Sequence, residues 1–273
     1  MKTSKISIKP PCPELRGNLA GMKYPAIAEI KSDGEFCFIH VDPTECFTVN
    51  KYGTVRQEFN KLVDIAQYVL GAGKHMSATF LGELCINDGK AGELYTLLSN
   101  KKNDALQLYV FDIIELDKKD LRNEDLITRK EILNEVLGGL KSTISPVVMV
   151  YNDIQVKAHF EYAVDKKWEG IVVKPLTGKL LLGPIDWVKI KAKDQTDYKV
   201  HLVDTTQERI EVEVPLPGIQ TATGLNYVVV GCKAPNKYKQ HIKVGDLVTI
   251  EHQGILSSGS LRHPVLIAKP EWR

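Results

Sequence analysis

Between residues 26 and 116 the chain alternates apolar and polar residues repeatedly, in AIAEIK, EFCFIHV, CFTVN, FLGELCI and LQLYVFDII. Alternation with period two sends successive side chains to opposite faces of an extended backbone, so each run is a strand with one face to bury. Turn residues separate the runs, so the chain must build sheets. With 273 residues, 43% of them apolar, it has ample material for buried cores and is about two domains long. Helices interrupt the strands. RQEFNKLVDIAQYVLG carries Phe59, Leu62, Val63, Ala66, Val69 and Leu70 at helical spacing. TRKEILNEVLGGL opens with Thr128 and Glu131 in capping-box spacing and ends in glycine, and a third helix is expected at about 155 to 167.

Near residue 193 the pattern changes. KDQTD is a polar break, and YKVHLVD, RIEVEV, LNYVVVGC, DLVTIEH and PVLIAK follow it as candidate strands. Five short strands separated by turns are the signature of a small barrel of OB type. The expected organisation is therefore α+β in two domains, residues 1–193 and 194–273, with KDQTD as the hinge.

Composition excludes several classes. No apolar run approaches the roughly 20 residues of a membrane span, and MKTSKISIKPPCPEL lacks the continuous apolar core of a signal peptide. These features imply no membrane and a cytoplasmic location, or whichever compartment of the host holds nucleic acid. Five scattered cysteines without a C-x-x-C pair argue against a disulfide framework and a zinc site. The seven histidines show no H-x-x-H spacing, so a metal would fall to carboxylates, which suits magnesium. A net charge of +2 is too mild to identify a nucleic-acid partner without local clustering of lysines.

Several residues break the apolar pattern where chemistry could use them. In AEIKSDGEF, Glu29 and Lys31 share one strand face, Ala28 and Ile30 the other, and Asp33-Gly34 supplies a tight turn into the next strand. A hairpin with a solvated lysine is the plain reading of that stretch alone. Glu83 in FLGEL and Glu169 in WEGIVVK are single carboxylates in apolar strands, which is unfavourable unless the charge meets a cation or donors. In WVKIK, Lys189 and Lys191 share a strand face; either a solvated edge or a phosphate-holding pair satisfies that spacing.

Read in order, KSDG at 31–34, NKYG at 50–53, FLGEL at 80–84, LYVFDII at 108–114, WEGIVVKP at 168–175 and DWVKIK at 186–191 resemble the motifs of the covalent nucleotidyltransferases. That superfamily comprises ATP-dependent DNA ligases, RNA ligases and mRNA capping enzymes. The resemblance covers nearly the whole chain, and IEHQGILSSGSLRHPVLIAKPEWR looks more like the end of a DNA ligase barrel than of the other branches. The short lead-in suggests a minimal ligase of viral or bacterial kind. NAD-using ligases carry an extra amino-terminal domain and a four-cysteine zinc module that this chain cannot supply.

The resemblance implies an adenylyltransferase domain of ATP-grasp-like antiparallel sheets with helices, followed by the OB barrel. It implies a monomer that seals nicked duplex DNA using ATP and Mg2+ (or Mn2+). Lys31 would be the nucleophile and form a lysyl-AMP. Glu29 and Ile30 would meet the adenine, Phe111 would stack on it, Lys51 would meet phosphate or sugar, and Glu83 would lie near the ribose. Lys174 would meet the α-phosphate, with Lys189 and Lys191 holding phosphate oxygens and, together with a bound magnesium, lowering the Lys31 pKa. Glu169 and Glu83 would hold the metal. Lys193, Lys199, Lys233, Lys237, Arg262 and Lys269 are the expected DNA contacts, alongside Lys166, Lys167, Lys239 and Lys243. Two positions depart from the family pattern: Phe36 and Lys51 stand where ligases usually carry arginine, so two planar bidentate donors are lost. An RNA ligase, a capping guanylyltransferase and an inactive nucleic-acid-binding module are the alternatives.

Overall fold

The alternating runs do form strands, but consecutive strands divide between two sheets. The computed structural model describes residues 10–15, 19–57, 59–86, 94–99, 103–216, 224–256 and 258–269. The lead-in before residue 10 and the closing PEWR lie outside the described residues. The chain divides into two compact units, Met1–Lys191 and Ala192–Arg273.

The strands of the first unit are β1 (Pro11–Leu15), β2 (Ala26–Ile30), β3 (Glu35–Val41), β4 (Cys46–Asn50), β5 (Val55–Arg56) and β6 (Ala78–Ile86). They continue with β7 (Leu106–Leu116), β8 (Lys119–Asp120), β9 (Val147–Val150), β10 (Gly170–Pro175) and β11 (Gly183–Lys191). Its helices are α1 (Asn60–Leu70), α2 (Leu94–Ser99), α3 (Leu126–Leu137) and α4 (Asp153–Asp165). One sheet has the order β1-β11-β10-β2-β9, the other β5-β4-β3-β6-β7-β8.

The hairpin suggested by Asp33-Gly34 does not form. β2 pairs with β9 and β10, and β3 with β4 and β6. The Lys31 N–H bonds the Gly170 carbonyl at 2.9 Å, prolonging the β2–β10 ladder, and the chain then crosses to the other sheet. Gly34 makes that crossing tight: a Cβ there would lie 2.3 Å from the Leu84 carbonyl oxygen. The nucleophile candidate therefore stands where the chain passes between sheets.

The outer face of the second sheet is closed by α1 and α3. Leu62, Ile65 and Val69 of α1 and Leu133, Val136 and Leu137 of α3 pack on Ile39, Phe80, Leu108 and Val110. Helix starts differ from the expected ones. α1 begins at Asn60, because Val55 and Arg56 pair with β4 and the Arg56 guanidinium reaches Glu35 at 2.7 Å. α3 begins at Leu126, so Thr128 and Glu131 lie inside the helix; the Asp125 carboxylate at its cap accepts from Lys179 at 2.7 Å. α4 starts at Asp153, where Asn152 accepts from the Gln155 N–H at 3.0 Å.

The second unit holds β12 (Asp194–Val203), β13 (Arg209–Pro215), β14 (Tyr227–Lys233), α5 (Asn236–Lys239), β15 (Leu247–His252) and β16 (Val265–Ala268). The strands close as β12-β13-β14-β16-β15 around Val200, Ile210, Val212, Val214, Val248 and Ile250. Most of KDQTD is strand. Asp194 to Asp197 belong to β12 and pair with β15 from His252 to Thr249, so the polar residues form a ladder whose side chains need no burial.

Candidate active site

Register brings the chemistry-bearing residues together. Val172 pairs with Glu29 on one side and Lys189 on the other, and Gly170 pairs with Lys191. Period two then places Glu29, Lys31, Lys174, Trp187, Lys189 and Lys191 on one face of the first sheet. Gly170 is required: its φ is +145°, and a Cβ would fall 2.0 Å from the Ile190 carbonyl oxygen. In the second sheet Glu83 pairs with Phe36 and Tyr109, and Phe111 follows two residues on. The inner faces meet in an apolar cluster of Phe38, Leu81, Ile185 and Trp187, with Phe36, Phe111 and Val172 against it. A cavity of about 300 Å³ opens beside this cluster, lined by Glu29, Ile30, Lys31, Lys51, Glu83, Phe111, Lys174 and Lys189 among others.

One end of the cavity carries a lysine pair bridged by a carboxylate. Glu169 takes the Lys31 ammonium on Oε2 and the Lys191 ammonium on Oε1, each at 2.5 Å. Glu83 stands close by and accepts from the Gly34 N–H at 3.2 Å. Its carboxyl is pushed up to about 7, first by burial, against the pull of Lys31, with Glu169 adding to the rise. Lys189 is pushed down by burial and by the charges of Lys191 and Lys31.

Two carboxylates set the charge of Lys31. Burial pulls its pKa down, but Glu169 and Glu83 outweigh burial and raise it above the ordinary lysine value. The like charges of the strand lysines are outweighed, with Glu169 pairing with both Lys31 and Lys191. As it stands, this arrangement holds Lys31 as an ammonium. Glu83, pushed toward its neutral form by burial and by the charge of Glu169, and Glu169 itself are hard oxygen donors, a donor type that fits a divalent cation such as Mg2+ or Mn2+.

The other end carries a second Lys–Glu–Lys bridge. Glu29, 3% exposed, receives Lys130 on Oε1 and Lys174 on Oε2. The Lys174 ammonium lies 4.6 Å from the Phe111 ring centroid and 4.1 Å from that of Trp187. Complete burial brings its pKa down to about 8 despite Glu29. Lys174 is thus engaged with Glu29 and the aromatic rings, whereas the motif had suggested the α-phosphate. Lys51 projects from a turn fixed by Asn50, whose side chain accepts from the Tyr52 and Thr54 N–H groups at 2.9 Å.

Sequence reasoning missed Lys130, Arg129 and the indole of Trp187. Arg129 is wholly buried and binds Asp112 through two hydrogen bonds of 2.8 and 3.0 Å. The available signal was basic residues on the stripe Leu126, Arg129, Leu133, Val136, where the period demands apolar ones.

Residues 11–191 match the family model of the ATP dependent DNA ligase domain. The chain belongs to the ATP-dependent DNA ligase family. It is 29% identical over 200 residues to a DNA ligase of Pyrobaculum arsenaticum, covering 68% of this chain and 34% of that one. To a DNA ligase of Pyrobaculum islandicum it is 30% identical over 207 residues, with the same coverage. The chain therefore spans about a third of the length of these curated relatives. Among solved structures, a Lig E DNA ligase superposes with a TM-score of 0.69 at 16% identity, covering 96% of this chain and 98% of that one. The ligase domain of Mycobacterium tuberculosis LigD gives 0.59 at 16% identity, covering 97% and 96%. Those two likenesses describe the fold.

Phe36, at the place where the motif resemblance implies an arginine, packs edge-on against Phe38 at 5.2 Å and lies 6.2 Å from Phe111, so it extends the apolar wall of the cavity. The barrel cations are partly engaged: Lys193 with Glu251 at 2.7 Å, Lys199 with Glu213 at 3.7 Å and Lys269 with Asp246 at 3.1 Å. Lys239 holds the Asp204 and Gln207 carbonyls. Lys233 is exposed, and Lys237 lies 4.6 Å over the Tyr238 ring. Arg262 donates its backbone N–H to the Gly254 carbonyl at 3.0 Å.

Proposed function

We propose that this chain seals nicks in duplex DNA with ATP, its first unit acting as the adenylyltransferase and its barrel as an OB domain. The supporting observation is Lys31, which stands between two sheets at the mouth of the cavity, ion-paired with Glu169 and beside Glu83. Lys31 Nζ, once neutral, attacks the α-phosphorus of ATP; an N–P bond forms, the P–O bond to pyrophosphate breaks, and the amine gives up a proton. The AMP passes to the 5′-phosphate at the nick, and the 3′-hydroxyl then displaces AMP.

Charge builds on nonbridging oxygens in each transfer, and Lys189 and Lys191 lie on the face that Lys31 shares. A divalent cation held by Glu83 and Glu169 would supply charge that favours the neutral amine and balances the phosphate oxygens. At the far end Glu29 accepts and Lys174 donates, the pattern complementary to the amino group and N1 of adenine. Guanine, with a carbonyl and an N1–H at those places, meets like against like. Phe111 and Trp187 offer the apolar faces that a base needs.

The remaining expectations belong to this reading: a monomer, acting where nucleic acid is kept, with Lys193, Lys199, Lys233, Lys237, Arg262 and Lys269 toward the duplex. No helix of the described residues is long and apolar enough to cross a membrane. The test is sealing of a 5′-phosphorylated nick with labelled DNA, ATP and magnesium. Joining that needs ATP and a DNA strand on both sides supports the proposal. Preference for RNA at the nick, or for GTP, contradicts it.

A further inference from the structure

Lys130 lies outside the cavity and touches neither reacting atoms nor the lysine pair at the phosphate end. Its ammonium binds Glu29 Oε1 and also donates to the Phe111 carbonyl at 2.7 Å. Those two partners belong to β2 and β7, strands of different sheets. One presents the carboxylate at the base end of the cavity, the other the ring on which a base stacks. A single side chain therefore fixes the spacing between the group that reads the base edge and the group that bears on its face.

The neighbouring residue reinforces this attachment. Arg129 binds Asp112, next to Phe111 on β7, and also the carbonyls of Glu124 and Gly178 at 2.7 and 3.2 Å. α3 is thereby anchored to β7, which leaves Lys130 little freedom to follow Glu29 elsewhere. The side chains of Lys130, Glu29 and Lys174 are 11%, 3% and 2% exposed, so water competes weakly for these bonds. With both oxygens held, the carboxylate keeps one fixed plane, and its remaining lone pairs have fixed directions.

We propose that Lys130 is a positioning residue for nucleobase recognition, holding Glu29 so that its carboxylate accepts from the 6-amino group of adenine. Without Lys130, Lys174 alone holds Glu29, and the carboxylate is free to turn about that single contact. The proposal rests on the adenylyltransferase reading above. It concerns selection of the donor nucleotide, whereas Lys31 concerns its transfer.

The test compares ATP with purine ribonucleoside triphosphate, which lacks the 6-amino group, in single-turnover formation of the protein adenylate or its purine analogue. Wild-type protein should prefer ATP by about tenfold or more, the size of one hydrogen bond to a charged group. In Lys130→Met the preference should shrink to within about twofold, with the loss in the half-saturating ATP concentration rather than in the limiting single-turnover rate. Lys130→Arg keeps a cation and should retain most of it. The ratio is measured within each variant, so a smaller folded fraction scales both nucleotides alike. A Lys130→Met protein with an undiminished preference would overturn the proposal while leaving the function intact. Wild-type protein that takes up neither nucleotide would remove the function, and the proposal with it.

Discussion

Replacing Glu83 by glutamine should stabilise the protein at pH 8.5 and leave it nearly unchanged at pH 4. The carboxyl rises from an ordinary 4.5 to about 7 because burial and Glu169 outweigh Lys31 and the Gly34 N–H. Below about pH 4.5 both the folded and unfolded states carry the proton, and the charge costs nothing. Between 4.5 and 7 the unfolded state releases it while the folded state keeps it, so stability falls as pH rises and levels off above 7. At 1.36 kcal/mol per unit the full penalty is about 3 kcal/mol. Glutamine, neutral at every pH and able to accept from Gly34, avoids it. Thermal unfolding of wild type and Glu83→Gln at pH 4 and 8.5 measures the difference, expected as a gain of roughly 5–10 °C at the higher pH only. Adenylate formation should fall in the same variant, since the carboxylate is absent from the transfer site. A variant less stable than wild type at pH 8.5 would refute the reasoning, because it would mean that Glu83 is charged and held by Lys31 rather than strained by burial.

Two further changes probe other parts of the structure. Arg129→Met leaves Asp112 buried without its cation and should cost about 3–5 kcal/mol in urea unfolding, much of it recovered when Asp112→Leu is added. Lys233→Ala with Lys237→Ala should reduce the salt dependence of nicked-duplex binding by a slope of about 2 and leave unfolding unaltered, since neither holds a carboxylate among the described ion pairs.

The strand faces were readable because period two decides them without reference to tertiary contacts. Glu29 with Lys31, and Lys189 with Lys191, share faces as the alternation requires. Pairing partners were not readable. Asp33-Gly34 has the chemistry of a hairpin turn, but a turn cannot specify whether the strand beyond it returns to the same sheet, and here it does not. The charge state of Lys31 was also hidden, since it depends on Glu169, which comes from a motif 138 residues away and inserts between two lysines. Nothing in the local spacing singles out Lys130, and only the position of α3 against β7 shows what it holds. Helix starts slipped because Arg56 and Asp125 had partners elsewhere in the chain, Glu35 and Lys179, that local spacing cannot reveal.

Everything in the mechanism depends on one amine becoming covalently linked to AMP. Intact mass before and after incubation with ATP and magnesium, followed by peptide mapping, tests this directly, after pyrophosphate treatment to strip any adenylate already present. The expected result is a gain of one adenylate located on Lys31 and abolished by Lys31→Ala. An unmodified wild-type protein, or an adenylate on any other residue, would contradict the account.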